Sequence, residues 1–308
     1  MKFNDANSYY RRTYGSKVYK VGISLNVTCP NRDGKVGVGG CIFCSEGGSG
    51  EFSEDRQLSI HSQIEQGIAK LQRKCNKDTQ YIAYMQSFTN TYCSPEYLSQ
   101  VLEEAISVPR VVAVSVATRP DCLPEEIMEV LENFIKTHEK NAPILYVELG
   151  LQTSNDRIAE LINRCYKTSQ YDEAVKRLQG IGANVITHVI LGLPEESEED
   201  MLNTVRHVCE IKSNGIKFTG LYVLENTVLA QMWKQGKLIL LEQEEYFDIV
   251  ERALALINED MTVYRLTGDG PKSLLLAPEW TRNKHAVLNA IQHEFAVRGT
   301  WQGSQQNT

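Results

Sequence analysis

Six short runs rich in β-branched residues, each followed by a stretch of helical periodicity, confine this chain to a parallel α/β sheet with right-handed crossovers. The runs are residues 18–27, 80–88, 111–118, 144–153, 184–194 and 216–225. Helical patterns fill 59–75, 95–107, 124–139, 169–181 and 197–213. Ser94-Pro95 and the Ser197-to-Asp200 capping box mark two of their starts. Near-continuous apolar strands suit a sheet covered on both faces. An open sheet and a (β/α) barrel, whole or partial, both satisfy this pattern. A barrel is favoured by where the polar residues fall. Cys29, Gln86-Ser87, Thr118-Arg119, Glu148, Gln152 and Leu193-Pro194 lie at or just beyond strand C-terminal ends, where barrel active sites are built. The expected architecture is a partial (β/α)6 TIM-like barrel over residues 16–245. A basic arm, 1–15, precedes it. A C-terminal extension, 246–308, follows, with helices at 243–258 and 284–298 around a short strand at 262–267.

The chain has 308 residues, enough for one such domain and an extension. No apolar run approaches the ~18 residues of a membrane span, and MKFNDANSYYRR lacks a signal-peptide core, so a cytoplasmic location is expected. Eight cysteines in that compartment are not expected to pair as disulfides. Cys75, Cys93, Cys122, Cys165 and Cys209 stand singly and read as small buried hydrophobes. Cys29, Cys41 and Cys44 instead share one glycine-rich stretch, C-x11-C-x2-C, directly after the first strand. Three thiolates can hold three irons of a [4Fe–4S] cluster and leave the fourth iron open. A structural zinc wants a fourth ligand, for which His61 is a distant candidate. A redox dithiol at Cys41 and Cys44 would leave Cys29 unexplained.

At these residues the chain resembles the radical S-adenosylmethionine (SAM) superfamily, and more closely the bacterial group related to the radical SAM domain of the Elongator catalytic subunit. The matching segments are CPNRDGKVGVGGCIFC, GGSGEF (47–52), QSFTNTY (86–92), ATRPDCL (117–123), ELGLQT (148–153), INR (162–164), THVILGLP (187–194) and RLTGDGP (265–271). The superfamily's usual C-x3-C-x2-C gap is longer here, as in the Elongator-like branch.

The resemblance implies that Cys29, Cys41 and Cys44 hold the cluster, and that SAM chelates the open iron and is cleaved to methionine and a 5′-deoxyadenosyl radical. It places Phe43 and the backbone at Leu191 beside the adenine, and Gln86, Thr89 and Asn90 near the SAM amino group. Arg164 would fork onto the SAM carboxylate. Glu148 and Gln152 share a strand face toward the barrel interior. A buried charge there is costly unless paired, which favours a ligand role. His188, Lys217 and Tyr222 are candidates for the substrate side, and Asp269 sits in a glycine-flanked turn. The implied partners are an electron donor such as a flavodoxin or ferredoxin and, through Elongator, tRNA at its wobble uridine. Residues 1–37 carry seven Lys/Arg against Asp5 and Asp33, a local +5 in a chain of net charge −7. Arg11, Arg12, Lys17 and Lys20, interleaved with tyrosines, form the pattern single-stranded RNA binding uses. No acetyltransferase pattern follows residue 228, so the product would differ from Elongator's or need a partner. A small-molecule substrate, or a non-catalytic iron–sulfur or zinc protein, are the competing readings.

Overall fold

The computed structural model describes residues 3–48, 50, 53–268 and 270–305. Ser49, Glu51 and Phe52 of GGSGEF, and Asp269, lie outside the described residues. Strands β1 (Val18–Ile23), β2 (Gln80–Met85), β3 (Val111–Thr118), β4 (Leu145–Gln152), β5 (Asn184–Leu191) and β6 (Gly215–Gly220) run parallel in chain order. A two-residue β7 (Val223–Leu224) leaves this sheet and later pairs antiparallel with β9 (Leu275–Ala277). Between them, β8 (Thr262–Arg265) joins β6 in parallel as a seventh strand of the main sheet. The expected six-strand count is thereby corrected. The strand assigned to the extension is part of the barrel, because the main-chain edge of β6 is otherwise unpaired.

The helices start where their caps predict. Ser94 Oγ accepts from Tyr97 N ahead of Pro95–Ser107. Ser197 and Asp200 exchange side-chain and backbone bonds ahead of Glu198–Glu210. Their apolar faces cover the outer face of the curled sheet, burying residues such as Tyr81, Met85, Val114, Val147, Val185 and Phe218.

The inner face is built in layers, because side chains two residues apart on a strand point the same way. The lowest layer is apolar: Val18, Ile82, Ala113, Tyr146 and Ile186, with Tyr10 packed beneath. Two residues further along the same strands come Lys20, Tyr84, Ser115, Glu148 and His188. Two further again come Gly22, Gln86, Ala117, Gly150 and Ile190. Small residues in this third layer leave room, and the barrel opens there into a cavity.

The N-terminal arm does not reach that opening. Residues Ala6–Tyr14 form a helix across the opposite end of the barrel. Asn4 Nδ2 donates to the Asp260 carbonyl at 3.2 Å, just before β8. Tyr14 Oη donates to the Pro143 carbonyl at 2.5 Å, just before β4. Asn184 Nδ2, at the start of β5, reaches Tyr9 Oη at 3.3 Å. Tyr9, Tyr10, Tyr14, Tyr146 and Tyr264 pack ring against ring into a plug. Of the tyrosines expected to stack on RNA bases, Tyr9, Tyr10 and Tyr14 are therefore packed in this plug, whereas Tyr19 on β1 is half-buried, with Lys17 Nζ 4.6 Å from its ring.

Candidate active site

The loop after β1 carries the three cysteines to the mouth of the cavity, which Cys29, Cys41 and Cys44 all line. The loop is held from within and from below. Arg32 lies over the Phe88 ring at 5.4 Å and donates to the carbonyls of Cys44 at 3.3 Å, Ser45 and Glu46. Asn31 Nδ2 donates to the Asn163 carbonyl at 2.5 Å and lies 3.7 Å from Cys41 Sγ. A Cβ at Gly37 would sit 2.0 Å from Asn31 Oδ1, so only glycine allows this approach. Gly40, at φ 83°, turns the chain into the left-handed region.

All three cysteines are half-buried. Burial, reinforced by the neighbouring Cys44 and Cys29, pushes the Cys41 thiol up to about 12. Three thiols lining one cavity supply ligands for three irons and leave the fourth open, a donor set that fits the implied [4Fe–4S] group.

The other expected site residues divide. Phe43, Gln86, Thr89, Glu148 and Gln152 line the cavity, with His188 and Tyr222. Gln152 takes a positive φ of 63° and accepts from Tyr166 Oη at 3.0 Å. Asn90 and Leu191 do not line it. Asn90 is buried, and its Nδ2 donates to the carbonyls of Met85 and Ala117, tying β2 to β3. Leu191 packs into the outer core, and Ile190 takes its place at the cavity.

Arg164 is the clearest correction. It is fully buried away from the cavity. Its guanidinium donates to the carbonyls of Leu151 and Thr153, both at 2.6 Å, and of Tyr166 at 2.9 Å, and pairs with Asp156 at 3.2 Å. A fork spent on these carbonyls, Thr168 Oγ1 and Asp156 has no donor left for a ligand carboxylate. Its neighbour Asn163 donates to the carbonyls of Val38 and Gly40. The INR segment is thus a buttress beneath the cysteine loop. The arginines that do line the cavity are Arg32, Arg119 and Arg265, and of these Arg119 is held by a carboxylate. It pairs with Asp121 through bonds of 2.9 and 2.8 Å and lies over the Tyr166 ring at 4.9 Å.

Glu148 also departs from expectation. Its carboxylate is fully buried, but its partners come from the protein. Oε1 accepts from Lys20 Nζ and from Ser115 Oγ at 2.9 Å. Oε2 accepts from Lys217 Nζ and from His188 Nε2 at 2.6 Å. Burial alone would raise this carboxyl. Lys20, Lys217 and His188 outweigh it and hold Glu148 well below the usual carboxylate range. Burial lowers His188 to about 4, so the imidazole is neutral and donates. The cost of the buried charge is met internally, and it gives no reason to assign Glu148 to SAM. Lys20, expected on a phosphate, points into the barrel. Period-2 alternation from Val18 was the signal that could have placed it there.

A family model described as the radical SAM superfamily matches residues 24–208, and one for the radical SAM C-terminal domain matches 213–296. The chain belongs to the radical SAM superfamily. Among curated relatives, the uncharacterized protein YtqA of Bacillus subtilis (strain 168) is 39% identical over 302 residues, 98% of this chain and 92% of that one. Protein YhcC of Escherichia coli (strain K12) is 30% identical over 292 residues, 94% of this chain and 92% of that one. A tRNA uridine(34) acetyltransferase of Dehalococcoides mccartyi is 30% identical over 172 residues, 54% of this chain but only 36% of that one. In structure, Elp3 of Methanocaldococcus infernus superposes with a TM-score of 0.69 at 17% identity, over 92% of this chain and 64% of that one. That likeness concerns the fold. As a radical SAM enzyme, the protein works with a [4Fe–4S] cluster and SAM. Among the described residues no helix is long and apolar enough to cross a membrane.

Proposed function

We propose that this radical SAM enzyme modifies the wobble uridine of tRNA, with the cluster held by Cys29, Cys41 and Cys44. The observation that carries the catalytic part is one cavity shared by those three thiols and the polar interior of the barrel. When bound, the cluster supplies the single electron that splits SAM into methionine and a 5′-deoxyadenosyl radical. The chain's own residues do the rest. Phe43 offers an aromatic face at the mouth. Gln86, Thr89 and Gln152 present neutral polar groups to the SAM amino acid moiety. Arg119, already oriented by Asp121 and Tyr166, is a cavity-lining cation that takes the role first given to Arg164. Burial of this chamber keeps water from a reactive intermediate.

The tRNA part is supported by the similarity to tRNA uridine(34) acetyltransferases and to Elongator complex protein 3 of Schizosaccharomyces pombe, 25% identical over 201 residues. It no longer draws on the N-terminal arm, which closes the far end of the barrel. Nucleoside profiling of tRNA from a deletion strain tests it: a wobble-uridine derivative should be lost or replaced by its precursor. An unchanged profile would reject tRNA as the substrate. Purified, reduced protein that releases no 5′-deoxyadenosine from SAM would reject the catalytic part.

A further inference from the structure

The middle layer of the barrel interior draws one polar side chain from every strand of the main sheet. Lys20, Tyr84 and Ser115 come from β1, β2 and β3; Glu148, His188 and Lys217 from β4, β5 and β6; Arg265 from β8. Tyr84, Glu148, His188 and Arg265 line the same cavity as the thiols. The layer holds three cationic side chains, and Glu148 is the one carboxylate among the described residues that line the cavity. His188 does not add a charge, and Tyr84 stays a neutral phenol because burial and Glu148 raise it.

Buried charge is retained where it is paired, and an unpaired excess of one sign is costly. Here both oxygens of Glu148 are already taken, by Lys20 and Ser115 on one and by Lys217 and His188 on the other. Arg265 has no carboxylate partner among the described residues. Its Nε donates to the Phe218 carbonyl at 3.1 Å, and one terminal nitrogen donates to Thr219 Oγ1. Lys217 spends one donor on Glu148 and carries two more N–H bonds. Burial pushes its ammonium well down, with Lys20 and Arg265 adding to the effect despite Glu148. A second anion in the layer would reverse that penalty. SAM, when bound, would be held beside Cys29, Cys41 and Cys44 at the mouth, so its own carboxylate would not occupy this layer. The apolar layer and tyrosine plug below close the other side.

We propose that this seven-strand layer seats an anionic group of the substrate, a carboxylate or a phosphate, between Lys217, Lys20 and Arg265. The anchored group points the rest of the substrate toward the thiol rim. The inference rests on the radical SAM reading of the cavity for what happens next, but not for the binding itself.

The test is calorimetric titration of the anaerobic, cluster-loaded protein with acetate, inorganic phosphate and neutral acetamide. At least one anion should bind one per chain and about tenfold more tightly than acetamide. The preferred anion tells a carboxylate seat from a phosphate seat. Lys217→Met and Arg265→Gln should each weaken that anion about tenfold. Arg265→Gln strands no buried carboxylate, so it remains informative if Lys217→Met fails to fold. Anions that bind no better than acetamide, or an Arg265→Gln protein that binds as the parent does, would overturn the proposal. Reductive SAM cleavage by the parent is read separately. Anion binding without cleavage would strike the radical reading and leave the seat. Cleavage without anion binding would strike the seat alone.

Discussion

The two ends of this barrel are built on opposite principles. At the base, five tyrosine rings and an apolar layer fill the interior to contact. At the mouth, three of the five third-layer residues, Gly22, Ala117 and Gly150, are small, and a glycine-bearing loop hangs three thiols over the space. The base buries aromatic area and secures the sheet. The mouth gives up packing to make a chamber. Between them lies the charged layer, whose single carboxylate joins its own strand to four others. Stability and chemistry are therefore separated along one axis, and substitutions should reveal which end they touch.

The largest expected effect is at the mouth. Cys41→Ala should abolish the roughly four irons per chain of anaerobically reconstituted protein and all SAM cleavage. The melting temperature of the metal-free protein should hold. An iron-loaded Cys41→Ala protein would break the assignment.

Next comes Arg164→Met, which tests whether the INR segment supports or binds. It leaves the carbonyls of Leu151, Thr153 and Tyr166 without their donor, and unfolding free energy should fall by about 3–4 kcal/mol. A stable Arg164→Met protein with weakened SAM affinity would return this arginine to the cavity.

At the base, Tyr10→Ala should cost about 3 kcal/mol by opening a cavity under the apolar layer. Tyr10→Phe should leave the melting temperature unchanged or higher, because the hydroxyl is buried with no bond among the described residues. The pair distinguishes packing from hydrogen bonding as what the plug supplies.

A smaller, pH-dependent effect belongs to Glu196, behind the mouth. Its Oε2 accepts from the backbone N–H groups of Gly192 and Leu193. Burial raises the carboxyl from 4.5 to about 7. The folded chain then holds a proton that the unfolded chain releases. Its contribution is complete below about pH 4.5 and is lost as pH rises toward 7. Glu196→Gln should raise the melting temperature by about 2–4 °C near pH 8 and by less near pH 5. Equal shifts at both pH values would show that the carboxyl does not titrate in this window.

The smallest effect is expected from Arg11→Ala with Arg12→Ala. Both residues sit on the helix closing the base, so SAM cleavage and any tRNA affinity should match the parent. A loss of tRNA affinity would mean that the nucleic acid reaches around to that end.

The parallel strands, the caps at Ser94 and Ser197 and the grouping of Cys29, Cys41 and Cys44 were legible in the sequence, because each rests on neighbours within a few residues. The period of apolar residues sets a strand. A Ser three residues before a free N–H sets a helix start. A C-x2-C spacing brings thiols near each other whatever surrounds them. The roles of Arg164 and Glu148 were not legible, because a charged side chain's meaning depends on partners far along the chain. Arg164 is consumed by carbonyls of its own neighbourhood. Glu148 gathers Lys20, Ser115, His188 and Lys217 from four other strands. Nor could the sequence say which end of the barrel its first helix would close. That was decided by Asn4 and Tyr14 finding the starts of β8 and β4, a docking of surfaces that exist only once the sheet has curled.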